Sequence, residues 1–430
     1  VQHTQKKGTL VNRQYIIVYL LFFTPNLFSK LPFSLFDCTL SGYIKGETYT
    51  DSRRTLSDEV DDISYFPLEQ IDDPSGHDIN ARSSMNMDAF ETRICGDFSG
   101  LKMGEATITG KIEIDFEIFY NPVTNVPHMR HAYGKLDWKN FSFLFGHTWH
   151  PVVYMEPPTV NYNGPSPFDY YARAPQFSCT YHTSKNCDLI ATITSQTDYT
   201  NDGPYGFITE YIRWAKIPNI HLQSRWFLNE HLTGIGIDYK RIAPRIVSNT
   251  GFKVHERLSS FAIIWYLRLT WPSFEINAKI NGGQNTTEYG SIGGYAVVRN
   301  STNPITNERK YTNTNNIGMW IDFAIIKNKK IQPGIFIGFA QNLGSHKEID
   351  FDTVDQNGKI IEQKIFGFVP RVNNVFRITP RLTSVIYNIT FAGEVEYTSA
   401  AYGTLTRYAR AINTKPAELV RCTFGAYYFF

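Results

Sequence analysis

The sequence is poor in charge, in helix-favouring residues and in long apolar runs. Only 19% of its 430 residues are charged, which leaves too much apolar and aromatic material for a disordered polyelectrolyte. A formal net charge of +2 supports neither a nucleic-acid binder nor an acidic interaction tail. The five cysteines form no C-x-x-C pair, and H-E-x-x-H, G-x-S-x-G and a Gly-rich phosphate loop are all missing. Motifs for hydrolytic, metal or nucleotide chemistry are therefore absent, and the expectation is a protein that is not an enzyme and needs no cofactor or metal. His128, His131, His147 and His150 are close in sequence but fall on different strands and faces, so they do not make a ligand set.

The one marked apolar run is Tyr15 to Phe23, preceded by Lys6, Lys7 and Arg13. It is far short of the roughly 20 residues a membrane helix needs, and its order of charge then grease reads as an export signal. Residues 1–38 are expected to be signal peptide and leader, and 39–430 the working body. Leu35, Phe36 and Asp37 before Cys38 lack the small residues of a lipoprotein-processing site. An exported chain without a membrane helix is periplasmic, secreted, or a barrel in an outer membrane.

What the sequence has in plenty is Ile, Val, Thr, Tyr and Phe, and these alternate with polar residues. Ile108, Ile112, Ile114, Phe116 and Ile118 lie on one face of a ribbon whose other face carries Thr109, Lys111, Glu113, Asp115 and Glu117. The same alternation recurs over 274–281 and 385–396. Soluble strands average about 5 or 6 residues, whereas a tilted strand crossing a bilayer needs about 9 to 11. The segments 104–120, 256–270 and 382–397 have membrane length. Connections alternate between tight (Asn140, 184–186, 216–219, 271–273, 328–330, Pro380 to Arg381) and long (51–85, 150–174, 285–313, 342–366, 399–417), the signature of short periplasmic turns and long extracellular loops. The spacing predicts an all-β, transmembrane antiparallel β-barrel. Seventeen segments can be marked, including 206–215, 367–379 and 382–397; an odd number leaves the chain ends on opposite sides, so 16 and 18 strands stay open. The parity slips between Asn229 and Glu256.

The chain ends on alternating Cys422, Phe424, Ala426, Tyr428 and Phe430. A terminal aromatic of this kind suits an interfacial girdle, and it resembles the signal by which a barrel assembly machinery recognises its client through Phe430. Trp138, Phe141, Phe143, Phe145, Trp149, Trp214, Trp226, Trp265 and Trp271 fit two aromatic girdles.

With lipid on the apolar face, the polar face lines a wet interior. Parity then makes Lys45, Arg93, Lys111, Glu113, Asp115, Glu117, Arg225, Arg268, Lys279, Arg371, Arg377 and Arg421 the candidate pore-lining residues, with an acidic ladder facing scattered bases. For each of them, simple pairing with a neighbouring charge is an equal expectation. The segment 150–176 carries six prolines, which exclude a helix and stiffen it. Folded inward it is a constriction loop with Glu156, Asp169 and Arg173 at the narrowing; folded outward it is a subunit contact. Cys179 and Cys187, across a tight turn, are candidates for a disulfide.

Gly42-Tyr43-Ile44-Lys45 running to Asp51-Ser52, Glu91-Thr92-Arg93, Arg130-His131-Ala132-Tyr133 and Phe145-Gly146-His147-Thr148-Trp149 resemble the DcaP-like outer membrane porins. The resemblance implies 16 strands, a homotrimer in the outer membrane of a Gram-negative bacterium, Arg93 pointing into the pore, and passive uptake of small, preferentially anionic solutes such as dicarboxylates. Family members often carry a helical segment before the barrel, and here the first strand follows the export signal almost directly. The expected partners are outer membrane lipid and small hydrophilic solutes. The competing readings are a non-conducting barrel with an adhesion or assembly role, and a secreted carbohydrate-binding β-sandwich.

Overall fold

A ribbon with one apolar and one polar face can satisfy both by closing on itself, since closure leaves no backbone N–H or C=O of the wall without a neighbour. The computed structural model describes residues 37–58, 63–118, 125–161, 166–195, 200–328, 330–356 and 359–430, and the expected export signal lies outside them. The first eight strands of the wall are β1 (Asp37–Asp51), β2 (Ser84–Asp88, continued by Arg93–Met103), β3 (Ala106–Ile118), β4 (Asn125–Trp138), β5 (Phe141–Trp149), β6 (Arg173–Ser184), β7 (Cys187–Thr194) and β8 (Asn219–Leu228). The second eight are β9 (His231–Ile242), β10 (Leu258–Thr270), β11 (Phe274–Gln284), β12 (Tyr311–Ile325), β13 (Ile331–Ser345), β14 (Val372–Ile386), β15 (Ile389–Leu405) and β16 (Ala411–Phe429). Each pairs antiparallel with the next. The last returns to the first in the register Tyr43↔Phe429 to Asp51↔Arg421, which closes an antiparallel barrel of 16 strands.

Gly42 N donates to Phe430 O at 3.2 Å and Phe430 N to Gly42 O at 3.1 Å, so the final residue itself completes the seam. The tight hairpins sit at the same end of the barrel as this seam. Their first turn residues, Gly104, Lys139, Asn229 and Tyr387, have φ between 52° and 62°, the left-handed start that matches a two-residue turn to the twist of its strands. The long connections lie at the other end, with one correction: the expected loop 399–417 is mostly strand, since β15 runs to Leu405 and β16 starts at Ala411, and only 406–410 join them.

The extra strand of the sequence reading is 206–215. That stretch belongs to the connection between β7 and β8 and contains a short helix, α1 (Glu210–Ala215). Tyr211 and Ile212 are buried there against Ile242, Leu258, Tyr295 and Val297. A run this short satisfies helical and extended periods equally. The expected slip between Asn229 and Glu256 therefore lay one loop earlier. Pro380 does not make a turn either: it sits inside β14 opposite Ile335, where the ladder to β15 is interrupted between Ile378↔Tyr397 and Arg381↔Glu394 and resumes in the same register. A proline removes one donor without moving the strand, and the turn falls at Tyr387 and Asn388.

The outer surface is apolar. Ile237, Ile263, Phe261, Leu222 and Phe424 are large residues on outward rows and about half exposed. At the turn end Phe141 stacks on Tyr181 at 4.9 Å and Trp271 on Phe274 at 4.6 Å, with Trp138 and Trp226 also exposed, as an interfacial girdle requires. Trp149 and Trp214 are corrections to that girdle. Trp149 faces inward against Tyr171 and Arg173, and Trp214 packs with Tyr205 and Tyr211 in the loop layer. The register sets Cys187 opposite Ser184 and Cys179 opposite Ala191, and all five cysteines are free thiols.

Candidate functional site in the barrel interior

The wall turns its polar residues inward, and three stretches of the long connections pack onto them. The first is the connection between β5 and β6, whose described residues 150–161 and 166–172 reach across the lumen. Lys279 of β11 donates to Val152 O at 2.8 Å and pairs with Asp169 at 2.5 Å, and Trp320 of β12 donates its Nε1–H to Asp169 at 2.9 Å. Further along, Val160 N and Asn161 N each donate to Glu394 of β15 at 2.7 Å. Phe168, fully buried, lies against Phe336 of β13 and beneath the Arg377 guanidinium. The segment is thus pinned to the wall opposite its own origin, through polar anchors that compensate the backbone groups it buries.

The second inward stretch is the hairpin Thr55–Asp58 with Ile63–Pro67 in the connection after β1. Arg377 donates to Tyr65 O at 2.6 Å, and Tyr402 OH to Pro67 O at 2.8 Å. The third begins at 285. Glu288 pairs with Lys240, and Tyr289 OH donates to Asp238 at 2.9 Å. Phe66, Phe168 and Tyr289 make this interior partly a hydrophobic core.

Against that frame the charges fall into two groups. Lys45, Lys279, Arg377 and Arg421 are on inward rows, as parity expects, but they are fully buried in ion pairs rather than facing open lumen. Lys45 is held by Glu47 and Glu91, Arg377 by Glu396 at 3.1 Å, and Arg421 by both oxygens of Asp51 at 2.7 Å. Asp169 and Arg173 are also buried; Arg173 starts β6 and is sandwiched with Trp149. Glu113 and Asp115 do not form a free acidic wall, because Arg130 lies between them at 3.0 and 2.6 Å. Arg225 pairs with Asp188 at 2.6 Å, and Arg268 donates to Asn277 at 3.0 Å. Lys111 is less enclosed, 3.6 Å from Glu113 and 3.7 Å from Asp97. Arg371 is a correction. It precedes β14 at the loop end, is 56% exposed, and reaches Glu69 at 3.0 Å instead of lining the wall. The backbone of Glu117 is in β3, but its side chain lies outside the described residues.

Beside the inward segment lies a polar cavity of about 190 Å³ lined by Tyr43, Glu91, Arg93, Glu156, Thr159 and Tyr171, among others. Arg93 is 23% exposed there, and its contacts to Glu91 and Glu113 are long, 3.5 and 3.9 Å. Its guanidinium lies over the Tyr43 ring at 5.4 Å, a cation–π support beside the cavity. Glu156 reaches the surface of the segment but is closely walled, and that desolvation raises its carboxyl above the usual range against the pull of Arg130, Arg93 and Arg173. Arg93 and Glu156 thus face one small wet space from the wall and from the constricting segment.

Arg130, which the sequence reading placed only within a resembling motif, was missed as an interior charge for a physical reason. Glu113 pairs with His131 but Ile114 pairs with Met129, so Arg130 is the extra residue of a bulge, and a bulge re-aims a side chain that strict alternation would assign elsewhere. Glu394 and Glu396 were on the polar face by parity; only their role as anchors for a distant loop was invisible.

No protein-family model and no curated protein sequence matches the chain. Solved structures do match it along nearly its whole length. The outer membrane channel DcaP of Acinetobacter baumannii superposes with a TM-score of 0.64 at 14% identity, covering 93% of this chain and 98% of that one. OmpT from the outer membrane of Vibrio cholerae gives 0.54 at 10% identity, with 93% and 99% covered. An anion-selective porin from Comamonas acidovorans gives 0.51 at 8%, with 92% and 100% covered. The fold is therefore that of outer membrane porins.

Proposed function

We propose that the chain is an outer membrane porin through which small hydrophilic solutes diffuse passively, anionic ones preferentially, and that it carries out no covalent chemistry. One observation carries the reading: a closed wall, apolar outside and charged inside, is narrowed from within by the proline-stiffened segment 150–172. In such a channel selectivity comes from width and from the charges at the narrowing. Arg93 supplies the cationic side, because it lines the cavity beside the inward segment and is partly open there. Glu156 opposes it, so the preference is weak. The trimeric form known for OmpT supports a homotrimer, and the exposed Phe430 ring beside the seam suits recognition by a barrel assembly machinery.

A second reading, a non-conducting barrel that works through its loops, is favoured by the density of the interior, with Phe66 and Phe168 fully buried near its middle. Single-channel recording in a planar bilayer separates the two. Steady conductance with a reversal potential displaced toward anions supports the porin. A tight seal with no unitary current supports the closed barrel and refutes diffusion.

A further inference from the structure

The charges treated so far point inward. A separate group points outward, at the loop end of β9 and β10. Along β9 the outward row runs Ile235, Ile237, Tyr239 and then Arg241; along β10 it runs back from Ile263 through Phe261 and Ser259 to Arg257. Tyr239 and Phe261 face each other across the strands with ring centroids 5.2 Å apart, an aromatic pair of the kind that marks a membrane–water interface. Two residues farther from the membrane centre, about 7 Å along a strand, the row becomes cationic. Arg241 and Arg257 border a polar cavity of about 520 Å³ that Arg309 and Lys310 also line.

The carboxylates of that cavity are already committed. Glu256 is buried in a double ion pair with Arg245, at 2.5 and 3.0 Å, and accepts from Arg309 N and Tyr311 OH. Glu308 accepts from His255 N at 3.0 Å, and Arg309 is paired with Glu362. Among the described residues, no carboxylate lies within ion-pair distance of Arg241, Arg257 or Lys310; Arg257 donates only to the Glu256 carbonyl, at 2.6 Å, and Arg241 Nε is buried without an acceptor. Arg241 and Arg257 thus line the cavity with no described carboxylate to neutralise them, and an anion entering it would meet guanidinium groups that match its oxygens. The basicity is local, since the outward pair across β15 and β16 is Ser399 and Glu418.

We propose that this cavity binds the phosphate of an outer-leaflet glycolipid headgroup, with Arg241 and Arg257 gripping the phosphate, Lys310 adding charge from above, and the acyl chains running down the Tyr239–Phe261 and Ile237–Ile263 rows. Height selects a lipid over a free solute: the cavity opens just beyond the aromatic pair, on the outer surface, where bilayer headgroups lie and where lumen solutes do not pass. Guanidinium forks match phosphate oxygens bidentately, and basic side chains at this depth are ordinary headgroup partners. The inference rests on the membrane orientation of the proposed function and not on conduction.

The test uses the full chain extracted in mild detergent and incubated with bis-phosphorylated lipid A, with the same lipid stripped of phosphate, or with inorganic phosphate, and lipid retained per barrel is read by native mass spectrometry. The expected result is retention of the phosphorylated lipid alone, a loss of about tenfold or more in Arg241→Ser/Arg257→Ser, and partial recovery in Arg241→Lys/Arg257→Lys, with single-channel conductance unchanged throughout. Lys310→Ser, on an exposed loop, provides a second variant that does not touch the wall, with a smaller loss expected. Equal retention in the double Ser variant, or displacement of the lipid by inorganic phosphate at equal concentration, overturns the proposal. A barrel that retains the lipid but passes no current supports this site while refuting diffusion, so the two failures are distinguishable.

Discussion

Replacing Lys279 by Met tests whether the inward segment is a fixed constriction. Lys279 is fully buried, as is the Asp169 it pairs with at 2.5 Å, and it also donates to Val152 O at 2.8 Å, so it fastens both ends of the crossing segment to β11. Methionine keeps the length and removes the charge, which strands the Asp169 carboxylate in the interior with only Trp320 and its own neighbouring N–H as donors. Stranding one half of a buried pair costs about 3–5 kcal/mol. At about 1.4 kcal/mol per tenfold, the balance between docked and released segment moves by a factor on the order of 10² to 10³. Release widens the channel, so conductance rises and the current flickers as the segment samples both positions. Lys279→Met combined with Asp169→Asn removes the stranded charge while leaving an acceptor for Trp320, and it is expected to restore most of the docking. Recording the two variants in a planar bilayer, with limited proteolysis of 150–172 as an independent readout, gives the answer. Unchanged conductance, noise and proteolysis in Lys279→Met would refute the idea that this pair holds the constriction.

Arg93→Ser is expected to lower anion over cation permeability by at most about thirtyfold, since a unit charge at contact distance in water attracts an anion and repels a cation by about 1 kcal/mol each; an unmoved reversal potential counts against Arg93 as the selective group. Asp51→Asn is expected to destabilise the barrel by about 3–5 kcal/mol, because it strips the buried Arg421 of its bidentate partner at the seam, and a denaturant midpoint equal to wild type would show that the seam does not depend on the pair. The thiols provide a third check. Cys187 and Ala191, the residue opposite Cys179, are four positions apart on β7, about 13 Å along a strand and beyond the roughly 7 Å a disulfide allows. Titration of the unreduced, denatured chain is therefore expected to find all five thiols free in the full sequence, or all four once residues 1–38 are removed, and two fewer in either case would contradict the register.

The wall was largely legible because a strand that separates lipid from water must alternate, and alternation survives in the sequence whatever the partner strand is. It was legible even in β16, where Arg421, Thr423 and Gly425 turn inward and Cys422, Phe424 and Tyr428 outward. Failures came where a local rule was overruled by packing. Residues 206–215 are apolar because α1 buries them in a loop core, and Pro380 is tolerated within a strand because neighbouring rungs keep the register. Parity also gives a side chain's direction without its depth. Lys45, Lys279, Arg377 and Arg421 are buried on inward rows, and parity could not tell that long connections from distant parts of the chain would cover them.

That covering explains how an interior with so many charges coexists with a net charge near zero. An inward arginine facing open water is stabilised by hydration, but once the segment 150–172 or the hairpin near Phe66 packs over it, hydration is lost and only a paired carboxylate makes burial tolerable. Each covered base accordingly has its own acid within reach: Lys45 with Glu47 and Glu91, Lys279 with Asp169, Arg377 with Glu396, Arg421 with Asp51. Arg93 and Glu156 border the cavity that packing leaves open, and they are not bonded to each other among the interactions of the described residues. Pairing is obligatory where loops cover the wall and optional where water remains. Among the described residues, the inward charges able to act on a passing solute are therefore those that packing leaves partly open, such as Arg93 and Glu156 beside the segment and Lys111 on β3. A channel that sorts solutes by charge must do so through such groups.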